Sequence, residues 1–129
     1  LRQAVLAMRS RVAGRVFLGG HSYGGRQATI LASEEPDLAD GLVLLSYPLH
    51  PPRRPAELRT AHFSNLTTPA LFLHGARDPF GSLEEMSAAL ALIPARTELI
   101  AVEGAGHDLK SKHAIEVIAA GFRRFFGTS

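Results

Sequence analysis

The sequence predicts an α/β fold, a three-layer sandwich with a mostly parallel sheet, as a single domain over residues 1–129. Segments typical of strands and helices alternate four times along the chain. The strand segments are continuous apolar runs, which is typical of a parallel sheet whose two faces are both covered by helices. With 46% hydrophobic and 20% charged residues, the composition is that of an ordinary globular domain.

The strands are predicted from four short apolar runs. These runs are residues 15–19, 42–46, 70–74 and 97–102. Each run is followed by a segment rich in glycine, proline or polar residues, which ends the strand. The longest such segment, residues 47–69, is rich in Pro, Arg and His. We predict a short lid-like loop there, with at most a short helix near 55–60.

The helices are predicted from apolar residues at helical spacing. Such spacing in residues 1–13 predicts a helix that ends at Gly14. The other predicted helices are residues 26–34, 82–92 and 112–126. Pro36 ends the first of these, and Ser82 with Glu85 fits a capping box at the start of the second. Because the chain opens at Leu1 inside a predicted helix, we expect it to be an internal portion of a longer protein.

Composition excludes several classes of function. Cysteine is absent, which excludes disulfides, Cys-based zinc sites and a cysteine nucleophile. No apolar stretch is long enough for a membrane span. The net charge is only +2 and forms no basic stripe, so we expect no nucleic-acid partner. No metal-binding motif such as H-E-x-x-H occurs, and we predict no metal, no cofactor and a cytoplasmic location.

One motif carries chemistry. Gly20-His21-Ser22-Tyr23-Gly24 matches G-x-S-x-G and lies in the glycine-rich turn 19–25, between a predicted strand and a predicted helix. A nucleophile elbow requires this context, because the sharp turn exposes the serine hydroxyl and bulky neighbours would clash. The positive end of the helix lies beside Ser22. The alternative is a glycine-rich turn with an incidental serine.

Two other glycine motifs do not fit the same turn. The dinucleotide fingerprint G-x-G-x-x-G would place its second glycine at Ser22. The phosphate loop matches Gly20 and Gly25 in spacing, but Arg26-Gln27 stand where it needs Lys and a hydroxyl residue. We therefore reject both nucleotide-binding interpretations.

A serine hydroxyl becomes a good nucleophile only when a base removes its proton. Asp78 and His107 follow the third and fourth predicted strands, at the edge where an open parallel sheet places its site. We predict that His107 takes the proton of Ser22, and that Asp78 orients the imidazole and stabilises its charged form. The alternative for Asp78 is a turn-capping aspartate before Pro79, and the alternative for His107 is a turn histidine that donates to the backbone. Asp108 is a weaker candidate for the acid.

The remaining histidines are weaker candidates. His21, inside the elbow, is predicted to line the pocket and contact substrate. His50, in the proline-rich loop, is also predicted to contact substrate, with a solvated loop as the alternative. His74 ends a strand and is predicted to be structural, whereas His62 and His113 are predicted to lie on the surface.

These residues resemble the α/β-hydrolase superfamily, and the whole chain resembles the C-terminal half of that fold without its N-terminal strands. Three segments resemble a branch near the dienelactone hydrolases, which includes hydrolase-like domains of testis-expressed and chromatin-complex proteins. These segments are GHSYGGRQA, LSYPLHPP and GARDPFG. The resemblance implies an esterase-type serine hydrolase with one oxyanion-hole N–H from Tyr23. The second N–H would come from a loop after an early strand, which this chain does not contain.

The missing strands lead to two expectations. Losing one oxyanion donor costs on the order of 10²–10³ in rate, so we expect slow turnover by the isolated chain. Strand 15–19, which is central in the family, would become an exposed edge, and such an edge invites pairing with another chain. We therefore expect either a homo-oligomer formed through this strand or a missing N-terminal segment.

We expect a hydrolase of small carboxylic esters, thioesters or lactones that forms an acyl-enzyme on Ser22. The expected partner is accordingly a small-molecule substrate of the ester type. Two alternatives stay open: a non-catalytic interaction module with the hydrolase fold, and a truncated fragment that oligomerises.

Overall fold

The computed structural model describes residues 10–12 and 14–127, and within them the strands form one five-stranded sheet in sequence order. The strands are β1 (Ser10–Val12), β2 (Arg15–His21), β3 (Gly41–Leu45), β4 (Ala70–Gly75) and β5 (Thr97–Val102). β1 pairs antiparallel with β2, and β2 to β5 pair in parallel. The mostly parallel sheet that the sequence predicts is therefore confirmed.

The helices cover the two faces of this sheet. They are α1 (Tyr23–Glu34), α2 (Leu83–Leu90) and α3 (Lys112–Phe126), with a short 3₁₀ helix at Phe63–Asn65. Leu44 and Phe72 point to the face that α1 and α2 cover. Leu71 and Leu73 point to the opposite face, where they share a core with Phe125 of α3. Burial of alternate strand residues on both faces produces the three layers and explains the continuous apolar runs.

The predicted helix over residues 1–13 falls mostly outside the described residues, and its described part is wrong. Residues 10–12 form β1, because the chain turns back at Gly14, which has a φ of 81°. Ser10 then pairs with Phe17 across the hairpin. Pairing with a neighbouring strand here overrides the helical spacing of the apolar residues.

The same hairpin corrects the prediction that strand 15–19 is an open edge. β1 pairs with residues 15–17, so the first part of β2 has a neighbour on its outer side. The register ends at Phe17, and from Leu18 to His21 the outer side of β2 has no paired strand among the described residues. The unpaired part of the edge is therefore Leu18–His21 and not residues 15–19, and it lies beside the turn that carries Ser22.

Two other boundaries differ from the predicted ones. α1 begins at Tyr23, directly after the turn, and not at residue 26. The loop after β3 forms its short helix at Phe63–Asn65 and not near residues 55–60. No helix in the described part of the chain combines the length and the apolar character needed to cross a membrane.

Candidate active site

Ser22 occupies a strained turn between β2 and α1. Its φ is 58° and its ψ is −122°, a backbone conformation that residues with a side chain rarely adopt. The Ser22 N–H donates to the Leu45 carbonyl at 2.8 Å, which ties the turn to β3. A side chain at Gly20 would place its Cβ 2.4 Å from the carbonyl carbon of Gly24. The turn therefore needs glycine at position 20, as the elbow motif predicts.

The structure brings Ser22, His107 and Asp78 into one line of hydrogen bonds. The distance from Ser22 Oγ to His107 Nε2 is 2.8 Å, and the distance from His107 Nδ1 to Asp78 Oδ2 is also 2.8 Å. A carboxylate only accepts hydrogen bonds, so Nδ1 carries the imidazole proton and donates it to Asp78. Nε2 of the neutral ring then accepts the hydrogen bond of the Ser22 hydroxyl. This arrangement can move a proton from the hydroxyl to the ring.

The Asp78 carboxylate is buried and hydrogen-bonded at both of its oxygens. Its side chain is completely buried, whereas the His107 side chain is 25% exposed. The second carboxylate oxygen, Oδ1, accepts from the Phe80 N–H at 2.8 Å. Both oxygens of the buried carboxylate therefore have donors, and the ring of His107 is the partner that faces the opening.

Close backbone contact brings the turns after β4 and β5 together. A Cβ at Gly75 would lie 2.2 Å from the Gly106 oxygen, so only glycine allows this approach. The Arg77 N–H donates to the Ala105 carbonyl at 2.9 Å across the same gap. These contacts explain how residues 29 positions apart, Asp78 and His107, meet at the carboxyl ends of neighbouring strands.

Tyr23 is the first residue of α1, where backbone N–H groups have no acceptor within the helix. The oxyanion role of this N–H stays a prediction. The Tyr23 side chain is 52% exposed, and the Arg59 guanidinium lies 5.2 Å from the centre of its ring. Tyr23 and Arg59 therefore border the opening beside Ser22.

His21 and His50, both predicted to contact substrate, each make hydrogen bonds within the protein. The exposed His21 donates from Nε2 to the His107 carbonyl at 2.8 Å. His50 is 5% exposed, and its Nδ1 and Nε2 bind the Pro51 carbonyl and the Glu85 carboxylate at 2.8 and 2.9 Å. The His50 ring is therefore buried with both nitrogens bound to protein acceptors, and substrate contact by His21 or His50 stays a prediction.

Three further residues beside the site were not predicted as functional. The Phe80 ring lies 4.3 Å from the His107 ring, and the buried Ser46 donates from Oγ to the His107 carbonyl at 2.7 Å. His74 is completely buried and donates from Nε2 to the Gly81 carbonyl at 2.6 Å, 3.8 Å from Asp78 Oδ2. Burial lowers the pKa of His74 despite these two contacts, so the ring is neutral.

The sequence carries weak signals for these residues. Phe80 and His74 lie within six residues of Asp78, so proximity to a candidate acid is the signal they carry. Ser46 directly follows the apolar run of β3, and its positive φ of 53° is visible only in the structure. Within residues 14–127, no cluster of three His, Asp or Glu side chains is placed to hold a metal ion.

The comparisons with known proteins agree with this fold. The family model described as alpha/beta hydrolase domain matches residues 1–120. A serine hydrolase homologue from Coxiella burnetii superposes with a TM-score of 0.65 at 20% identity, over 84% of this chain and 48% of its own. A dienelactone hydrolase from Anabaena variabilis superposes with a TM-score of 0.66 at 22% identity, over 85% of this chain and 47% of its own. Est1E from Butyrivibrio proteoclasticus superposes with a TM-score of 0.67 at 20% identity, over 85% of this chain and 59% of its own.

This chain thus spans about half the length of the solved structures it resembles. Identities of 20–22% in these comparisons show a shared fold, whereas the family model matches most of the chain directly. The match includes the serine turn, the turn of Asp78 and the turn of His107. The chain belongs to the α/β-hydrolase family.

Proposed function

We propose that this protein is a serine hydrolase that cleaves carboxylic esters, thioesters or lactones. The observation that carries the proposal is the continuous line of hydrogen bonds from Ser22 through His107 to Asp78, with 2.8 Å at each step. Three groups of this chemistry, in this order and at these distances, form an acyl-transfer site on several unrelated folds. A coincidental contact between these side chains would require neither the strained backbone at Ser22 nor the buried carboxylate of Asp78.

In the proposed mechanism, Ser22 Oγ attacks the substrate carbonyl carbon while its proton passes to His107 Nε2. The tetrahedral intermediate collapses, and the departing alcohol, thiol or lactone oxygen takes that proton from Nε2. Water then attacks the acyl-Ser22 carbonyl and gives a proton to Nε2. When the second intermediate collapses, that proton returns to Ser22 Oγ and the carboxylic acid is released. Asp78 stabilises the imidazolium in both halves and stays ionised.

The negative oxygen of each intermediate needs hydrogen-bond donors. The Tyr23 N–H, at the positive end of α1, is the donor that this chain supplies in our proposal. A site with one donor removed is slower by on the order of 10²–10³. Since the chain spans about half the length of these structural relatives, we propose that the isolated chain turns over slowly.

The names of the structural relatives favour this reaction class. They include a dienelactone hydrolase, a monoacylglycerol lipase from Paleococcus ferrophilus and Est1E, the last also solved with ferulic acid bound. Their names indicate hydrolysis of lactone or ester bonds. We propose the same class of bond for this chain, and the size of its acyl group is left to a substrate screen.

A fluorophosphonate probe followed by intact-mass spectrometry tests the proposal. The probe forms a stable bond only with an activated serine, so we expect one adduct on the wild type and none on Ser22→Ala. Ser33→Ala is the matched control, because Ser33 lies on α1 with its hydroxyl bound to the Ile30 carbonyl. Absence of an adduct on the folded wild type would refute the proposal and favour a non-catalytic interaction module.

A further inference from the structure

We infer that Ser46 and His21 clamp the backbone carbonyl of His107 and thereby position its ring for proton transfer with Ser22. The inference rests on the proposed function. Neither side chain is expected to touch substrate or the reacting atoms, so both are positioning residues. We call the pair the carbonyl clamp.

Ser46 carries the first half of the argument. It follows β3 directly, is completely buried and has a φ of 53°, in the left-handed region that residues with a side chain rarely occupy. Its N–H donates to the Leu73 carbonyl at 2.9 Å, so the neighbouring strand β4 holds this conformation. A conformation of this kind is unfavourable for a residue with a side chain and persists only where its surroundings enforce it. In this conformation the Ser46 hydroxyl reaches the His107 oxygen at 2.7 Å.

His21 supplies the second contact to this carbonyl. Its Nε2 lies 2.8 Å from the same His107 oxygen. A carbonyl oxygen only accepts, so His21 Nε2 carries a proton and donates it. A carbonyl has two lone pairs, and Ser46 and His21 are two donors to it. Ser46 lies 61 positions before His107 in the sequence and His21 lies 86 positions before it, so only the fold brings the two donors to this carbonyl.

The carbonyl clamp holds the backbone of His107, whereas the hydrogen bonds to Ser22 and Asp78 hold its ring. Asp78 holds the ring through Nδ1, whereas the clamp holds the peptide group from which the side chain starts. His107 lies in the connection between β5 and α3, outside both elements. An error of about 1 Å in the position of a catalytic group can cost about 10²-fold in rate. Holding both ends of the residue therefore fixes Nε2 at hydrogen-bond distance from Ser22 Oγ.

Substitutions at Ser46 separate the hydroxyl from the strained backbone. Ser46→Ala removes the hydroxyl and keeps the Cβ in the left-handed region, whereas Ser46→Gly removes the hydroxyl and relieves the strain. We expect both variants to react with the fluorophosphonate at least tenfold more slowly than the wild type. We expect Ser46→Gly to unfold at the same or a higher urea concentration than Ser46→Ala. A slow, well-folded Ser46→Gly would exclude loss of folding as the cause.

Substitutions at His21 test the donor itself. His21→Ala removes it, and we expect slower labelling than in the wild type. His21→Gln places an amide N–H at a reach similar to that of Nε2, and we expect it to recover most of the rate. His113→Ala, at an exposed position on α3, is the matched control and should label like the wild type.

An NMR measurement reads the position of the His107 ring without any reaction. In protein labelled with ¹⁵N-histidine, we expect a protected Nδ1–H resonance of His107, assigned by its loss in Asp78→Asn. Ser46→Ala and His21→Ala should broaden it by faster exchange with water, while His113→Ala should not. Labelling within twofold of the wild type, together with an unchanged resonance, would overturn the carbonyl clamp. If the wild type forms no adduct, the proposed function fails while the resonance still decides the clamp.

Discussion

Asp78 shows how a single buried carboxylate can select one tautomer of its histidine neighbour. Its Oδ1 accepts from the Phe80 N–H, which leaves Oδ2 for His107 Nδ1. His74, the other ring near Asp78, is neutral because burial lowers its pKa, and it donates to Gly81. Asp78 therefore fixes the His107 proton on Nδ1, and Nε2 can accept the hydrogen bond of the Ser22 hydroxyl.

We expect Asp78→Asn to slow fluorophosphonate labelling by on the order of 10⁴ while the fold is kept. If the amide oxygen continues to accept from Phe80, the amide N–H₂ faces Nδ1 and favours the tautomer with its proton on Nε2. That tautomer cannot accept the proton of Ser22. The measurement is the labelling rate, with circular dichroism to verify folding.

Asp108→Asn is the matched control for this substitution, because Asp108 is exposed and adjacent to His107. We expect its labelling rate to lie within twofold of the wild type. A large loss in Asp108→Asn together with a small one in Asp78→Asn would reverse the assignment of the acid.

At the scale of elements, one ion pair ties the loop after β3 to the start of α2. Glu85 accepts from the Ser82 N–H in the capping box of α2 and also lies 2.9 Å from His50 Nε2. Both ring nitrogens of His50 face acceptors, Glu85 and the Pro51 carbonyl, which requires a doubly protonated ring. The backbone N–H of His50 donates to the Phe80 carbonyl at 3.0 Å, so the loop after β3 also contacts Phe80, whose ring lies against His107.

This ion pair predicts a stability that depends on pH. Burial and Arg59 lower the pKa of His50, but the contacts with Glu85 and Pro51 outweigh them and raise it above 6.5. The hydrogen bond from His50 lowers the pKa of Glu85 below 4.5. The His50 contribution is complete below its unfolded pKa and is lost as pH rises through the raised value. The Glu85 contribution is lost as pH falls through the lowered value.

We therefore expect the pair to stabilise the fold most between about pH 4.5 and 6.5, the ordinary pKa values of the two groups. His50→Gln should lower the free energy of unfolding by about 1 kcal/mol at pH 5.5 and by less at pH 8.5. Urea unfolding at the two pH values measures the difference. His113→Gln, on the surface of α3, is the control, and an equal loss at both pH values would contradict the charged pair.

Local pattern was sufficient for the features that depend on local chemistry. The ends of the four parallel strands lie within two residues of the predicted ends, and the capping box of Ser82 and Glu85 is confirmed. The hairpin at Gly14 was missed, because its strand carries apolar residues at helical spacing. Pairing with β2 decides its conformation, and no pattern within residues 1–13 encodes that pairing.

The contacts around His107 depend on long-range approach, and sequence reasoning assigned them poorly. The order of Ser22, Asp78 and His107 could be inferred because each follows a strand that ends at the same edge of the sheet. The Ser46 contact spans 61 positions and depends on one strained dihedral angle. His50 appeared to be a loop residue near the opening, whereas its partner Glu85 lies 35 positions away. Neither pairing leaves a signal in a single sequence.

At the scale of the whole molecule, the helices cover the two faces of the sheet unequally. α3 packs over β4 and β5, and its C-terminal phenylalanines reach Phe17 at the start of β2. Beyond them lies an apolar groove of about 190 Å³, lined by β2, β3 and Phe122. Val43 and Leu45 in its floor are only partly buried. A parallel sheet is normally covered on both faces, and among the described residues this groove is a part of the sheet face that α3 covers incompletely.

The apolar groove and the unpaired part of the β2 edge adjoin each other, and together they predict self-association. The outer side of β2 from Leu18 onward has no paired strand among the described residues, and an open edge readily pairs with another chain. We expect sedimentation velocity to show species larger than the monomer, and their share should increase as the protein concentration rises from about 5 to about 200 µM. Val43→Lys, which places a charge in the groove, should shift the distribution toward the monomer.

Leu58→Lys is the control for this prediction, because Leu58 is 52% exposed in the loop after β3 and does not line the groove. It adds the same charge as Val43→Lys and also replaces an apolar side chain, so a general effect of charge on solubility would shift both variants in the same direction. A shift in Val43→Lys alone would place the contact at the groove. A wild-type chain that stays monomeric throughout the concentration range would contradict self-association. The groove would then not be a contact between copies of this chain.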